Sequence, residues 1–386
     1  MPDSMEIVCM ATRRLDDPLP TNVQHLMRRL ADRHRVLYVE PPADPIFWAR
    51  RPRRLAHRAP PAGGPQTLVP LIFPWEHRFA ALKSWNRRLV VAQVHRRMKR
   101  LRLARPLLWL FSPLQAWVLD HLSAARVCYH ITDDYPTMAW VTSEALRQEV
   151  MEADAQILRA ADCVFITSSH LAQKHGLSGP RVHVVPNVAD VEHFAAARDP
   201  ETPVAADIAG IRRPIAGFVG AVDSYKVDLD LLQACALATP EISYVLIGPV
   251  GWSDPRTRVD SLNLPNVHFL GRRPFESLPG YLKGFDVGLI PYRRTAYTES
   301  CSPLKVYEYL AAGKAVVSTD LPGVREAGEL VTVADSPTEF AAAIRRHLND
   351  GPDSAEQRAA FAAKHSWSSR VAEIEAILTG SIHDGQ

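Results

Sequence analysis

Between Thr298 and Thr319 the chain reads TESCSPLKVYEYLAAGKAVVST. A polar loop, Glu299–Ser302, runs into a helix that opens at Pro303, a residue favoured in the first turn because its missing N–H has no partner there anyway. Lys305 and Glu308 follow in the first two turns, and Ala311, Ala312 and Gly313 let the helix pack closely and stop. A helix start exposes unpaired N–H groups and a partial positive charge, which suits a phosphate. Lys305 adds a full positive charge, and Glu308 can accept hydrogen bonds from a ribose diol. The plainer reading is a crossover helix whose Lys and Glu are solvated. Placement at the carboxyl edge of a parallel sheet, where ligands bind in open α/β folds, weighs against it.

A second group lies in VCYHITDDYPTM, residues 127–138. Asp133 and Asp134 follow an apolar run, so they sit at a strand end, and Asp133 is the candidate acid–base group. His130 is the second candidate, though a core or orienting histidine is the commoner case. An Asp in such a place also serves as a turn or cap residue. The loop Thr12–Thr21 ends another apolar run, and Asp16, Asp17 and Gln24 beside it are candidate acceptor-binding residues.

These groups need a scaffold, and the apolar pattern supplies one. Short runs at 7–10, 36–39, 107–111, 127–131, 164–167 and 182–185 alternate with helical stretches. The pattern restarts at 215–219, 242–247, 267–270, 287–290, 315–318 and 330–333. Apolar runs alternating with helices imply parallel sheets covered on both faces. The class is therefore α/β, with two doubly wound Rossmann-like domains facing a cleft. The expected divisions are a first domain over 1–195, a linker over 196–213, a second domain over 214–365, and a C-terminal helix over 366–386 packed back on the first domain. Residues 51–65 are Arg- and Pro-rich and read as a loop. Phe79–Leu103 reads as a long basic helix.

PLKVYEYLAAGKAVVSTDLPGVRE resembles the C-terminal signature of GT-B glycosyltransferases, particularly the bacterial family-4 type. The second Glu of that family's E-x7-E pattern falls on Glu308. The first falls on Ser300, with Glu299 one place early. PIAGFVGAVDSYKVDLDLL (214–232) is similar to the first strand and turn of the family's nucleotide domain, with Lys226 at the usual Lys and Ala221 at the usual Arg. VHVVPNVADVEHF (182–194) and LPNVHFLGRRPFESLPGYLKGFDVGLIPY (264–292) are similar to two further runs of the family. The resemblance covers about 165–335 well and 1–165 loosely. It implies transfer of a sugar from a nucleotide-diphosphate sugar to a saccharide or lipid-linked acceptor, in cell-surface or exopolysaccharide synthesis. The implied donor-binding residues are Gly220, Lys226, Ser302, Pro303, Leu304, Lys305 and Glu308. Asp133 falls where some membrane-associated relatives hold an Asp that acts on the acceptor, with Asp134 as an acceptor contact. The family leans to retention of configuration, whereas a base at Asp133 favours inversion. A sugar-nucleotide epimerase of the same fold and a non-catalytic membrane-surface protein stay open as alternatives.

Composition bounds the rest. The chain has 386 residues, 47% hydrophobic and 23% charged, which is ordinary globular usage and excludes a disordered or collagen-like chain. No run reaches the roughly 18 apolar residues of a membrane span, and no signal peptide is read at the N-terminus. Five dispersed Cys without a CxxC argue for a reduced, cytoplasmic protein without a zinc site. No Gly-rich dinucleotide fingerprint follows either first strand, which argues against a nicotinamide dehydrogenase. No cofactor and no obligatory metal are expected, because Lys residues and helix amides meet the diphosphate charge. The net charge of +3 hides an asymmetry: residues 1–200 carry 27 Lys and Arg against 19 Asp and Glu. Residues 78–105 hold ten Lys and Arg and no Asp or Glu. This segment is expected to meet an anionic membrane surface, peripherally and on the inner face. Nucleic acid is the poorer partner, since no binding module or aromatic interleaving accompanies the charge.

Overall fold

The computed structural model describes residues 4–17, 20–49, 64–75, 79–138, 140–348 and 352–380. The Arg- and Pro-rich stretch 51–63, Arg78 and the tail 381–386 lie outside them.

The first sheet is built from β1 (Glu6–Met10), β2 (Arg35–Val39), β3 (Gln66–Leu68), β4 (Leu107–Leu110), β5 (Arg126–Ile131), β6 (Cys163–Ile166) and β7 (Val182–Val184). Their spatial order is β3-β2-β1-β4-β5-β6-β7, all parallel. The second sheet is built from β8 (Ile215–Val219), β9 (Ser243–Ile247), β10 (Val267–Gly271), β11 (Val287–Ile290), β12 (Ala315–Ser318) and β13 (Val331–Val333). Its order is β10-β9-β8-β11-β12-β13, again all parallel. Each sheet reverses direction once, between β1 and β4 and between β8 and β11. At such a point neighbouring crossovers leave on opposite faces and a crevice opens at the strand carboxyl ends.

The inner strands of each sheet are buried nearly throughout because helices cover both faces, while the edge strands are half-exposed. One face of the first sheet packs Tyr38, Trp109, Phe111 and Phe165 against the helices Asn22–Leu30 and Trp367–Leu378. The C-terminal helix thus lies on the first sheet, fixed by Trp367, Val371 and Ile374 and by the ion pair of Arg33 with Glu375 at 2.6 Å. The other face packs Val90, Val94 and Met98 of the helix Ala80–Leu101, together with Tyr129 and Ile157. The stretch between the sheets is not free chain. It contains the short helices Val191–Ala195 and Ala206–Ala209, and Lys283 donates to the carbonyls of Asp199, Pro200 and Thr202 at 2.7–2.8 Å.

One packing detail sets the second site helix. Tyr309 of Leu304–Ala311 lies where a Cβ on Gly288 of β11 would meet its ring at 2.6 Å. Its hydroxyl accepts a 2.9 Å hydrogen bond from the Val219 N–H at the end of β8. Glycine at 288 therefore seats the helix on the sheet with its start at the strand ends.

Candidate active site

Four loops leave the two switch points: Ala11–Asp17 after β1, Phe111–Gln115 after β4, Gly220–Lys226 after β8 and Pro291–Cys301 after β11. They face one another across a cleft of about 1520 Å³, lined from both domains. Its size suits a ligand larger than a single small molecule.

The second-domain wall is the start of the helix Leu304–Ala311. Ser302, Pro303, Leu304 and Lys305 all line the cleft. Pro303 is the cap, with φ −71° and ψ 114°, and the helical turns begin at Leu304, one residue later than the sequence suggests. The Ser302 carbonyl accepts from the Asn187 amide at 3.0 Å, and Asn187 is paired in turn with Asn22. The Ser302 hydroxyl is buried and has no hydrogen-bond partner among the described residues. A buried hydroxyl left unpaired costs about 1–3 kcal/mol, so its position at a helix start, on a cleft that Lys226 and Lys305 also line, is informative. Lys305 forms a 2.6 Å ion pair with Glu308. Glu308 is buried behind Lys305 and does not line the cleft; it holds the lysine rather than facing the space.

Lys226 reaches the same space from the loop after β8, with its ammonium 4.6 Å from the ring centre of Tyr292. Burial opposes its charge, but Tyr292, Cys301, Tyr225 and Asp133 together raise its pKa. Gly220 lies below the cleft rather than on it. It has φ +156°, and a Cβ on neighbouring Gly248 would sit 1.9 Å from its carbonyl oxygen. The two glycines let the β8 and β9 loops touch. Asp223 then accepts from the N–H groups of Ser253 and Asp254 at 3.0 and 3.2 Å. That pins the loop carrying Trp252, which lines the cleft with the Arg272 guanidinium 5.3 Å from its ring centre.

The first-domain wall carries Asp133. Its carboxylate receives hydrogen bonds from Thr132 at 3.3 Å and, from across the cleft, from the Tyr297 hydroxyl at 3.4 Å. Burial raises its pKa, only partly offset by Lys226, Thr132 and Tyr297. A carboxyl so placed takes up a proton more readily than a solvated one.

The remaining candidates separate. Asp17 lines the cleft, while Asp16 is exposed away from it. Gln24 is fully buried: its side chain donates to the Arg14 carbonyl at 3.0 Å and accepts from the Thr21 N–H at 2.8 Å, so it fixes the helix start Asn22–Leu30. His130 is inside the core, stacked on Phe111 with ring centres 5.1 Å apart, and absent from the lining. Burial drives its pKa down to about 3, so it is neutral. Asp134 turns away from its neighbour. It is 2% exposed and pairs with Lys174 at 2.5 Å and His175 at 3.3 Å. Burial would raise its pKa, but hydrogen bonds from His175, Lys174 and Thr137 pull it to about 2. Lys174 also reaches the Ala296 carbonyl, 3.2 Å away in the second domain.

Asn187, Tyr292, Tyr297, Trp252 and Arg272 were not singled out by sequence. Asn187 had a signal, since it lies in the VPN run at the end of the first domain. The others meet the site only through folding. Among the described residues no group of three or more His, Cys, Asp or Glu is placed to hold a metal ion.

Comparison with known proteins follows the same lines. Residues 213–350 match the family model described as glycosyl transferases group 1. A Bacillus subtilis (strain 168) protein, whose name assigns it provisionally to teichuronic acid biosynthesis as the glycosyltransferase TuaH, is 28% identical over 242 residues. The match spans 60% of this chain and 60% of that relative's length. Among solved structures, a sucrose-phosphate synthase from Thermosynechococcus elongatus superposes with a TM-score of 0.70 at 19% identity, covering 98% of this chain and 99% of the other. Anabaena HepE in complex with UDP-glucose superposes with a TM-score of 0.68 at 16% identity, covering 97% and 100%. These likenesses establish the two-domain GT-B fold.

Proposed function

We propose that this chain, a GT-B protein whose second domain matches the family model of the group 1 glycosyl transferases, moves a sugar from a nucleotide-diphosphate sugar to an acceptor held by the first domain. The observation that carries the proposal is the buried Ser302 hydroxyl at the start of Leu304–Ala311, without a hydrogen-bond partner among the described residues, on a cleft that Lys226 and Lys305 also line. A diphosphate there would receive the hydroxyl, the free helix N–H groups and two ammonium charges. In the reaction the bond from the sugar's anomeric carbon to the diphosphate oxygen breaks, and the departing nucleotide keeps the electron pair. An acceptor hydroxyl forms the new bond to that carbon and its proton passes to Asp133. The charges stabilising the leaving group belong to the protein, so we propose no obligatory metal and no bound cofactor. Pro303 and Leu304 contribute backbone to the phosphate site, Glu308 holds Lys305, and Gly220 supports the loop that carries Lys226.

The acceptor half is bounded by Asp17, Asp133 and the helix Ala80–Leu101. The teichuronic acid relative supports a saccharide or lipid-linked acceptor in cell-surface polysaccharide synthesis. The basic helix supports peripheral placement on the inner, cytoplasmic face of a membrane. Among the described residues no helix is long and apolar enough to cross one.

Thermal unfolding with UDP, GDP, ADP and TDP tests the donor site, because a nucleotide that binds only the folded state raises its melting temperature. UDP is the first choice, since a solved structure of this fold is a complex with UDP-glucose. A shift with one nucleotide is expected. No shift with any would overturn the proposal. Conversion of a nucleotide sugar to its epimer without acceptor would replace transfer by epimerisation.

A further inference from the structure

We propose that Lys174 is a positioning residue for transfer: fixed on Asp134 of the first domain, it grips the 296–300 loop of the second and thereby sets Tyr297 against Asp133. This rests on the transferase reading and names the contact that joins the two halves of its site.

Lys174 ends the short helix Ser169–Lys174, which is capped by the Ser168 hydroxyl accepting from the Leu171 N–H at 3.0 Å. Leu171 and Ala172 are buried in the core of the first domain, so the lysine leaves a fixed base. An ammonium has three N–H donors, and three acceptors surround this one. The Asp134 carboxylate lies 2.5 Å away, the Ala296 carbonyl 3.2 Å and the Ser300 hydroxyl 3.5 Å. One acceptor belongs to the lysine's own domain and two to the other. Lys174 does not line the cleft, so it acts through what it holds.

The anchor is equally fixed. Asp134 also accepts from the Thr137 hydroxyl at 2.9 Å and pairs with His175, which in turn faces Asp154. An exposed lysine gains little from an ion pair. This one is two-thirds covered and its carboxylate is buried, so the contact is worth more and holds its geometry.

The gripped loop is one piece. The Glu299 N–H donates to the Thr295 carbonyl at 2.9 Å, and the Ser300 and Cys301 N–H groups to the Tyr297 and Thr298 carbonyls at 3.1 Å each. The Ser300 hydroxyl donates to the Ala296 carbonyl at 3.0 Å. Tyr297 stands between the two gripped residues, with its hydroxyl on Asp133. Neighbouring carboxylates of the first domain thus reach one loop by two routes: Asp133 meets the Tyr297 hydroxyl, and Asp134 anchors the lysine that holds the loop there. Further on, the Ser302 carbonyl is tied separately to Asn187. That second tie keeps the donor wall in place when the lysine is lost.

The test compares Lys174→Met, Lys174→Arg, Tyr297→Phe and the double variant K174M/Y297F with the unaltered protein. Amide hydrogen exchange, read by mass spectrometry, should show the 295–301 loop losing protection in Lys174→Met and keeping it in Lys174→Arg. Turnover is read as nucleotide released from the glucose conjugates of UDP, GDP, ADP and TDP, with water as acceptor. It should fall by about 10²-fold in Lys174→Met, the size expected of a small misplacement caused at a distance, and recover in Lys174→Arg. Nucleotide affinity by calorimetry should stay unchanged, which shows that the variants are folded and that the donor site is intact. The double variant should be no worse than the more impaired single one. Wild-type exchange or wild-type turnover in Lys174→Met, no recovery in Lys174→Arg, or additive losses in the double variant would overturn the proposal. A loss of nucleotide affinity that matches the loss of turnover would also overturn it, making the contact a general support of the fold. An unaltered protein that neither binds nor releases any of the nucleotides would instead sink the transferase reading.

Discussion

The Tyr297 hydroxyl crosses the cleft to within 3.4 Å of the Asp133 carboxylate. One residue belongs to the loop after β11, the other to the loop after β5, so the candidate base is tuned by the opposite domain. Asp133→Asn is expected to cut turnover by about 10²–10⁴-fold with nucleotide affinity nearly unchanged. Tyr297→Phe removes a donor that favours the ionised carboxylate. The Asp133 pKa should rise further, and the acid limb of the pH–rate profile should move to higher pH. Steady-state kinetics from pH 5 to 9 check both. A Tyr297→Phe profile superimposed on the wild type would show that the contact does not act on Asp133.

The Lys305–Glu308 pair makes a different forecast. Lys305 lines the cleft and Glu308 stands behind it, 2.6 Å away. Lys305→Ala should weaken nucleotide binding by about 1.5–3 kcal/mol, roughly 10- to 150-fold. Glu308→Ala should weaken it less, because it acts through the lysine. The double variant should be no worse than Lys305→Ala alone. Calorimetric titration of all three gives the cycle. Additive losses would mean that Glu308 touches the ligand itself.

Much of the scaffold was legible because buried parallel strands are apolar along their whole length. That same uniformity hid which way a strand residue points. His130 and Asp133 are three residues apart, yet His130 stands opposite Phe165 in the β5–β6 register and stacks into the core. A strand apolar on both faces offers no alternation from which to read this. β3 was missed because Gln66–Leu68 is short, half-polar and followed by Pro70. The cleft wall from Ser302 to Lys305 was legible because it is continuous in sequence. Tyr297, Tyr292 and Trp252 were not, since their place depends on two loops meeting. Asp134 looked equivalent to Asp133, and only the position of Lys174 and His175 separates them.

That separation gives a structural prediction. Asp134 is buried with two cationic partners, and one of them, Lys174, extends to the second domain. Asp134→Asn removes the counter-charge of Lys174 and one of the two carboxylates that face His175, and breaking a buried pair costs about 3–5 kcal/mol. Denaturant unfolding should show a loss of that size. Lys174→Met should cost less, since the lysine is a third exposed on its side chain. An Asp134→Asn protein as stable as the wild type would mean that the network is solvated.

His175 carries the last prediction, which concerns pH. Its Nε2 lies 3.3 Å from Asp134 and its Nδ1 3.6 Å from Asp154, whose other oxygen accepts from the Tyr129 hydroxyl at 2.5 Å. Hydrogen bonds to Asp134 and Asp154 raise the imidazole to about 9 despite burial, from an ordinary value of 6.5. The folded state therefore binds the proton more tightly than the unfolded chain. The stabilisation is complete below about pH 6.5 and disappears as pH rises through about 9. At the acid end His25 and His130 act in the opposite sense. Burial first, with Arg29 and Arg370 respectively, lowers them to about 4 and 3, so stability falls as pH drops below about 6.5. Melting temperature should therefore peak near pH 6–7. His175→Gln should flatten the alkaline side and leave the slope between about pH 4 and 6.5 unchanged. An alkaline slope that survives in His175→Gln would assign it to another group.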